Sequence, residues 1–380
     1  MDQFALTADQ LALKDMAQRF AAEKLAPGAL EWDESKELPV DILREAGALG
    51  MGGIYVKDDV GGSGLTRLDA ALILESLSTA DPSVAAFVSI HNMVAWMIDR
   101  FGNEAQRAKY LPHLCTMEHL GSYCLTEASA GSDAAALKSR ARREGDSYIL
   151  NGAKQFISGA GTSNVYVVMA RTGAEGPSGI SCFVVEKDTP GLSFGKNERK
   201  LGWAAQSTRT VNFDDMRIPA GNLIGKEGDG FKIAMMGLDG GRLNIAACSL
   251  GGAQAALDKT IAYMRERNAF GNPLSKFQAL QFRVADMATE LAAARLMLYS
   301  AAAEYDRGAR DTLVRCAMAK RFVTDVAFNV ANEALQLHGG YGYLSEYGIE
   351  KIMRDLRAHQ IIEGTNEIMR VVIARNLLGN

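Results

Sequence analysis

The segment "HQIIEGTNEIMR" (359–370) contains the acidic residue that is best placed for chemistry in this sequence. Glu363 follows the apolar pair Ile361 and Ile362 and directly precedes Gly-Thr-Asn, where two helical segments are predicted to join. Burial beside apolar side chains raises the pKa of a carboxyl group and makes its ionised form a stronger base. Two interpretations are therefore open: a general base in a closed site, or a solvated residue in a turn.

Other kinds of chemistry find little support in the sequence. The five histidines include no H-x-x-x-H spacing and the five cysteines no C-x-x-C pair, so neither a metal site nor a disulfide framework is predicted. Neither G-x-x-x-x-G-K-[ST] nor a strand followed by G-x-G-x-x-G is present, which argues against P-loop and Rossmann nucleotide binding. The segment "GGSG" lacks the G-x-S-x-G spacing of a serine nucleophile. The cysteines are expected to be reduced and mostly buried: Cys115, Cys124, Cys182, Cys248 and Cys316.

The composition is that of a globular protein, with 48% hydrophobic and 23% charged residues among 380. A net charge of −4 provides no basic surface for phosphate backbones, so we expect no nucleic-acid partner. The sequence has no uninterrupted apolar run of about 18 residues, so we expect no membrane span. The first segment, "MDQFALTADQLALKD", has neither a signal-peptide nor a transit-peptide pattern, and we therefore expect a bacterial cytoplasmic protein.

The elements that must position Glu363 fall into three parts along the chain. Helical patterns dominate residues 1–121, where Thr7 and Gln10 form a capping box and an apolar stripe follows, with a predicted stop at Pro27. Further helices are predicted at 67–79 and 84–101, and the glycine-rich segment 60–64 is predicted to be a flexible loop. The apolar stripe consists of Leu13, Met16, Ala17, Phe20 and Ala21.

Residues 122–232 have β character, and the chain then returns to helices. Runs rich in β-branched and aromatic residues, such as "NVYVVMART" and "ISCFVVEKD", alternate with Gly, Pro and Asn, which predicts an antiparallel β-barrel or sandwich. In residues 233–380, long helices are predicted at 239–268, 276–307, 311–338 and from about 366, which indicates a four-helix bundle. The predicted fold is α+β and multidomain: an N-terminal helical domain, a middle β-domain and a C-terminal helical bundle.

Four stretches, in this order, together resemble the acyl-CoA dehydrogenase family, from about residue 5 to the end of the chain. They are "YCLTEASAGSD" (123–133), "FISGAG" (156–161), "QLHGGYGY" (336–343) and "IIEGTNEIMR" (361–370). The stretches "SIHNM", "LCTME" and "GISCFVVEK" are similar to the branch of the family that acts on a short branched acyl group. The resemblance implies FAD between the β-domain and the bundle, with acyl-CoA alongside it.

The resemblance assigns the first two motifs to the flavin. Backbone amides and the Thr126 hydroxyl are suited to the polar rim of an isoalloxazine, and Ser132 would also face substrate. Ala128-Ser129 replaces the Pro-Gly or Pro-Ser that is usual in the family, so this loop is expected to be less stiff. Phe156 keeps the flat face of the more common Trp but lacks the indole N–H. The implied cofactor contacts are Tyr123, Cys124, Leu125, Thr126, Glu127, Ser132, Phe156, Ile157 and Ser158.

A second set of implied FAD contacts follows in the helical part. Arg267, Phe277 and Gln278 match positions that touch FAD of a neighbouring subunit, so the resemblance also implies a homotetramer, a dimer of dimers. Glycines after Gln336 would allow close backbone approach to the dinucleotide, although the same residues also form an ordinary helix end. The N-terminal amides of the last helix could serve the same ligand. These contacts are Gln336, Leu337, His338, Gly339, Gly340, Thr365, Asn366 and Glu367.

The family match gives Glu363 a specific role. The resemblance implies that the Glu363 carboxylate would remove the α-proton of an acyl thioester while the β-hydrogen leaves as hydride to the flavin, and that the Glu363 N–H and a ribityl hydroxyl would polarise the carbonyl. Some relatives carry the base just before the Arg of a stretch like "GLDGGRLN"; here that residue is Gly241, which cannot act as a base. The implied substrate contacts are Ser132, Asp239, Gly240, Gly241, Arg242, Gly364 and Arg375.

The implied reaction converts isobutyryl-CoA to methacrylyl-CoA, a step of valine degradation, and passes electrons to an electron-transfer flavoprotein. Butyryl-CoA or 2-methylbutyryl-CoA stays open as the substrate, because one methylene changes discrimination by only about 1–3 kcal/mol. A flavin oxidase on the same scaffold is a second alternative, although relatives that oxidise nitroalkanes carry Asp where this chain has Glu363. A non-catalytic CoA- or flavin-binding protein is a third alternative, which the retention of Glu363 disfavours.

Overall fold

The computed structural model describes residues 6–379. Helices occupy the first part, strands the middle and long helices the last part, so the predicted helix–β–helix plan is confirmed. The first residues of the predicted N-terminal domain, 1–5, and the last residue of the chain lie outside the described residues. None of the helices within residues 6–379 is both long and apolar enough to cross a bilayer.

Between residues 6 and 120, the first part contains six α-helices. Thr7 caps the first of them as predicted: its hydroxyl accepts from the Gln10 N–H at 3.2 Å, and the Gln10 side chain accepts from the Thr7 N–H at 3.1 Å. The segment 60–64, predicted to be a flexible loop, is tied by backbone hydrogen bonds from residues 62–65 to residues 53–57. The helices are α1 (Ala8–Phe20), α2 (Ala29–Ser35), α3 (Val40–Ala48), α4 (Arg67–Ser78), α5 (Pro82–Phe101) and α6 (Glu104–Cys115).

The predicted helix stop at Pro27 is wrong. Helical geometry continues beyond α1 through a π-helical turn (Ala21–Leu25) and a 3₁₀ turn (Ala26–Gly28) into α2. Pro27 lies in the first turn of the 3₁₀ segment, where its missing N–H removes no hydrogen bond from the helix. The missing N–H of Pro27 therefore does not interrupt the helical path at this position.

Eight strands of the middle part form one sheet in the order β6-β7-β3-β2-β4-β5-β8, with β1 also paired to β4. The β1–β4 pairing is parallel, whereas β3–β7 and β4–β5 are antiparallel, so the sheet is mixed. Buried aromatic and branched side chains, among them Tyr148, Tyr166 and Phe183, fill the core on one face. The strands are β1 (Gly121–Cys124), β2 (Arg140–Glu144), β3 (Ser147–Ser158), β4 (Val165–Arg171), β5 (Ile180–Glu186), β6 (Leu192–Phe194), β7 (Thr208–Pro219) and β8 (Leu223–Ile224).

Long helices dominate the last part. They are α7 (Gly230–Glu266), α8 (Gln278–Asp306), α9 (Thr312–His338), α10 (Ile349–His359) and α11 (Asn366–Leu378), with a short hairpin of β9 (Asn268–Ala269) and β10 (Asn272–Pro273) after α7. Helix α7 packs against α4, α5, α8 and α9 and so connects the first and last parts. The starts of α9 and α11 agree with the predictions to about one residue, but α10 was not predicted.

Helix α7 begins at Gly230, well before the predicted start at residue 239. The first half of α7 contains Gly237, Gly240 and Gly241, although glycine disfavours helix interiors by about 1 kcal/mol relative to alanine. Each of them lies where a Cβ would collide with a neighbouring side chain: Gly237 with Met97, Gly240 with Arg67 and Gly241 with Glu363. Close packing therefore accounts for these glycines in a helix.

The proposed domain limits 121/122 and 232/233 both fall within continuous elements. The first lies between the first two residues of β1, and the second lies in the first turn of α7. We retain the three domains 1–121, 122–232 and 233–380 as a proposal.

Candidate active site

Glu363 lies in the turn that joins α10 to α11. Its backbone φ of 56° is in the left-handed region, which is costly for a residue with a side chain, and Gly364 follows with φ 88°. The Thr365 hydroxyl then caps α11 by accepting a hydrogen bond from the Ile368 N–H at 3.3 Å. Strained residues of this kind occur mainly where the surrounding structure fixes them for function.

The Glu363 carboxylate is directed at α7. Its Oε2 atom is buried and finds no hydrogen-bond partner among residues 6–379. A Cβ built on Gly241 would lie 2.6 Å from Oε2 and 3.0 Å from Cδ, so the absence of a side chain at Gly241 makes the space for this carboxylate. Gly241, the position at which some relatives carry the base, therefore lies beside Glu363, the base predicted here.

Burial raises the pKa of Glu363 to about 7, opposed by the positive charges of Arg242 and Lys320. The source of this burial differs from the prediction, since Ile361 is 52% exposed and only Ile362 packs against the core. The carboxylate is instead enclosed by α7, where it lies against Gly241, and its charged neighbours are Arg242 and Lys320. Its charge adds to the burial that raises the pKa values of Tyr55, Tyr123 and Cys248.

Arg242 connects the predicted substrate contacts on α7 to the Glu363 turn. Its Nη1 contacts Asp239 Oδ1 at 2.6 Å, and its Nε donates to the backbone carbonyl of Glu363 at 3.3 Å. Burial raises the pKa of Asp239 to about 6, with Arg242 opposing the rise. Gly240 faces the Arg67 guanidinium. Gly241 and Arg242 thus lie next to the turn, and Asp239 is linked to it through Arg242. Arg375 is exposed in the last turn of α11, about 14 Å along the helix axis from its start.

In the motif 123–132, some polar side chains have hydrogen-bond partners within the protein and others have none among the described residues. The Tyr123 hydroxyl is buried and has no hydrogen-bond partner in the described part of the chain, and Ser132 is exposed. Cys124 is fully buried and Leu125 is 7% exposed. The Glu127 carboxylate contacts Lys154 Nζ at 2.7 Å and accepts from two backbone amides, so its side chain has a structural role, and the cofactor contact of this residue stays a prediction. The Thr126 carbonyl accepts from the Gln155 N–H, which links this motif to β3.

The triplet 156–158 lies at an irregularity of β3. The register with β7 shifts between Lys154 and Ile157, and Phe156 has φ 60°. A bulge of this kind redirects a side chain, and Phe156 is 62% exposed while Ile157 is 3% exposed. The Ser158 carbonyl accepts a hydrogen bond from the Ser122 hydroxyl at 2.6 Å. The structure therefore presents a flat aromatic face outward, as a stacked planar ligand requires.

A separate cavity of about 670 Å³ brings Arg267 together with the segment 336–340. The Arg267 guanidinium lies 5.3 Å from the Tyr341 ring centre, and the His338 ring stacks on Tyr263 at 4.4 Å. A Cβ on Gly339 or Gly340 would meet no heavy atom of the described residues within 4 Å, so backbone is open to a ligand there. Phe277 and Gln278 lie at the start of α8, outside this lining.

Several polar groups at the start of α11 already have hydrogen-bond partners within the protein. The Asn366 N–H donates to the Gln360 carbonyl at 3.0 Å, and the buried Asn366 side chain bonds Lys320, Thr324 and Asp325. Asn366 therefore has an internal role. Thr365 caps the helix with its hydroxyl, and Glu367 is exposed.

Four polar residues near the turn were not predicted: Lys320, Asn244 and Arg67, which are buried, and Tyr55, which is partly buried. Lys320 donates to the Gly364 carbonyl, and the Asn244 amide donates to the Tyr55 hydroxyl at 3.0 Å while its Oδ1 lacks a partner within residues 6–379. The Arg67 guanidinium lies 3.6 Å from the centre of the Tyr55 ring. A usable signal existed in the sequence, because Lys320 and Asn244 interrupt apolar helical faces, but their partners are remote in the chain.

Comparison with known proteins gives a consistent result along the chain. Three family models match: "Acyl-CoA dehydrogenase, N-terminal domain" over residues 7–118, "middle domain" over 122–216 and "C-terminal domain" over 228–378. The chain is 57% identical to the mitochondrial isobutyryl-CoA dehydrogenase of Dictyostelium discoideum over 373 residues, 98% of this chain and 90% of that protein.

Solved structures agree with the sequence matches. Butyryl-CoA dehydrogenase from Megasphaera elsdenii is 41% identical and superposes with a TM-score of 0.96 over 100% of both chains. A structure described as the FAD complex of PigA is 32% identical, with a TM-score of 0.95 over 99% of both chains.

Proposed function

The chain belongs to the acyl-CoA dehydrogenase family, and on this premise we propose that it oxidises isobutyryl-CoA to methacrylyl-CoA with Glu363 as the catalytic base. Acyl-CoA dehydrogenation follows from the family and from the dehydrogenases to which the chain is similar. The observation that carries the assignment of the base is the buried Glu363 Oε2 atom, which has no partner among the described residues and faces Gly241. An orphaned buried carboxylate is costly unless a ligand completes its surroundings.

FAD is the cofactor, as family membership and the FAD complex of a similar protein support. When bound, it supplies the acceptor for the hydride that leaves C3 of the acyl group. The residues present fit such a group: Phe156 offers an exposed aromatic face, and the Tyr123 hydroxyl is buried without a partner in residues 6–379. We propose that the cavity at Arg267 and 336–340 receives the pyrophosphate end from a neighbouring subunit, because guanidinium and open backbone suit phosphate.

The protein's own contribution to the chemistry is to place a base and keep water away from it. In its ionised form, Glu363 Oε2 accepts the proton from C2 of the thioester, and the two electrons of the C3–H bond leave as hydride, so that a C2–C3 double bond forms. Arg242 and Lys320 donate hydrogen bonds to the consecutive backbone carbonyls of Glu363 and Gly364 and so fix this turn. Burial raises the pKa of Glu363 towards neutrality, which makes its carboxylate a stronger base than a solvated one.

The proposal that isobutyryl-CoA is the preferred substrate is supported by the 57% identity to an isobutyryl-CoA dehydrogenase. A comparison of kcat/KM for isobutyryl-, butyryl- and 2-methylbutyryl-CoA tests it directly. We expect isobutyryl-CoA to lead by roughly tenfold or more, because 2-methylbutyryl-CoA adds one methylene and butyryl-CoA is an unbranched isomer, and a misfit of about one methylene in an apolar pocket costs about 1–3 kcal/mol. A clear preference for butyryl-CoA would overturn this assignment while leaving the family and the base intact.

We further propose that electrons pass to an electron-transfer flavoprotein, that the enzyme is a homotetramer, and that it serves valine degradation in the bacterial cytoplasm. Reduction of the flavin by isobutyryl-CoA under air, with and without electron-transfer flavoprotein, separates a dehydrogenase from an oxidase. We expect turnover to require the flavoprotein, whereas fast turnover with oxygen alone would favour the oxidase. Light scattering of the purified protein tests the tetramer.

A further inference from the structure

Two cations from different helices hold the turn that carries the proposed base. Arg242 on α7 donates to the Glu363 carbonyl at 3.3 Å, and Lys320 on α9 donates to the Gly364 carbonyl at 2.8 Å. The two residues of the turn have positive φ values of 56° and 88°. A left-handed conformation at a non-glycine residue needs external contacts to persist, and these two bonds act on consecutive carbonyls of that turn.

Lys320 is completely buried, and its ammonium group donates two hydrogen bonds. Besides the Gly364 carbonyl, it donates to Asn366 Oδ1 at 2.8 Å. Asn366 is held in turn by donating to Thr324 Oγ1 at 2.9 Å and to Asp325 Oδ1 at 2.7 Å. The ammonium therefore belongs to a network that fixes the end of the turn to α9.

The charged groups around Glu363 come from several elements. Burial lowers the pKa of Lys320 to about 7, and Glu363 opposes that fall most strongly among the neighbouring charges. Ionised Glu363 and charged Lys320 thus stabilise each other. The other groups that face this pair are Arg242, Asp239 and Cys248 on α7, Asp325 on α9, His359 on α10, Glu367 on α11, and Tyr55 and Tyr123, with Arg67 behind Tyr55.

Resting on the function proposed above, we infer that Lys320 is a positioning residue for Glu363, which fixes the left-handed turn and stabilises the ionised carboxylate. The hydrogen bond to Gly364 sets the position of the backbone that carries the carboxylate. The charge acts on Glu363 through space. Lys320 touches neither substrate nor reacting atoms in this account, so its loss should reduce the chemical step more than substrate binding.

Two substitutions separate these contributions. Lys320→Gln retains an N–H donor without the charge, and Lys320→Met removes both. We expect Lys320→Met to lower kcat about 100-fold, the cost of a base displaced by about 1 Å, with KM changed by about twofold or less. In both variants, we expect the acid limb of the kcat/KM pH profile to rise by about 1 pH unit, because the positive charge beside Glu363 is lost. Lys320→Gln should keep more of kcat than Lys320→Met.

Lys232→Met is the matched control, since Lys232 is an exposed residue of α7 and its loss makes the same change in net charge. We expect its pH profile and kcat to equal those of the wild type. A thermal unfolding curve of each holoenzyme records any loss of stability separately. If Lys320→Met does not fold, Lys320→Gln carries the test through its pH profile.

The inference is overturned if both Lys320 variants keep the wild-type acid limb and a kcat within about threefold of the wild-type value. A lowered melting temperature with an unchanged pH profile would also overturn it, because that result is what a purely structural lysine gives. Failure of the proposed function is seen elsewhere: a Glu363→Gln variant that remained fully active would show that another residue is the base, whatever Lys320 does.

Discussion

Replacement of Gly241 by alanine is the most specific perturbation of the proposed base. The new Cβ would lie 2.6 Å from Glu363 Oε2, 3.0 Å from Cδ and 3.1 Å from Oε1, whereas ordinary contacts begin at 3.4 Å. Helix α7 is packed against α4, α5, α8 and α9, so the carboxylate must yield rather than the helix. The difference between 3.4 Å and 2.6 Å requires a displacement of at least 0.8 Å.

A displacement of this size has a calculable cost for a base. Misplacement by about 1 Å reduces a rate about 100-fold, which corresponds to about 2.7 kcal/mol of activation free energy. Helix propensity acts in the opposite direction, because alanine is about 1 kcal/mol more favourable than glycine in a helix interior. We therefore expect Gly241→Ala to lose about 100-fold in the rate of flavin reduction by isobutyryl-CoA while the melting temperature stays near that of the wild type.

Gly237→Ala provides the matched control in the same helix. Its Cβ would meet the terminal methyl of Met97, the far end of a flexible side chain that can move aside. We expect this variant to keep its reduction rate within about threefold of the wild type. If stopped-flow reduction of Gly241→Ala is equally unimpaired, the carboxylate does not occupy the position described here and the reasoning fails.

Three further outcomes are expected. The pKa of Glu363 rises from 4.5 to about 7 on folding, so the stability that this carboxyl contributes is present below pH 4.5 and is lost as the pH rises towards 7. The unfolding midpoint of Glu363→Gln should therefore exceed that of the wild type by an amount that grows between pH 4.5 and 7 and stays level above pH 7. An equal difference in midpoint at every pH would contradict this expectation. Arg267→Ala should weaken FAD retention about tenfold in reconstitution titrations, without moving the acid limb of kcat/KM. His359→Phe should lower the unfolding free energy measured in urea by about 1–3 kcal/mol, because Trp203 Nε1 and Ser249 Oγ lose their hydrogen bonds to His359. His113 is exposed, and His113→Phe should leave the unfolding free energy unchanged.

The sequence was most informative where a local pattern determines the structure. The capping box of Thr7 and Gln10 and the helix end at His338 and Gly339 were both predicted correctly, because each depends on residues within one turn. Residues 230–238 of α7 were missed, and Gly237 among them packs against Met97 of α5, a contact that no local pattern reveals. Helix propensity alone cannot describe that packing.

The candidate site shows the same division between local and remote information. The identity of Glu363 as a candidate base came from one short motif and its family resemblance. The cause of its burial did not, since Ile361 points to solvent and α7 encloses the carboxylate instead. Lys320 was missed for the same reason: its partners Gly364 and Asn366 lie more than 40 positions further along the chain. Partners so remote are brought together only by the tertiary fold.

The most direct test of the central claim is anaerobic stopped-flow reduction of the flavin by isobutyryl-CoA in Glu363→Gln. Glutamine keeps the shape of the side chain but cannot accept the α-proton. We predict a reduction rate at least about 100-fold below that of the wild type, with isobutyryl-CoA still bound, because general-base catalysis contributes 10²–10⁴-fold. A variant that reduced its flavin at close to the wild-type rate would show that the proton leaves to another group.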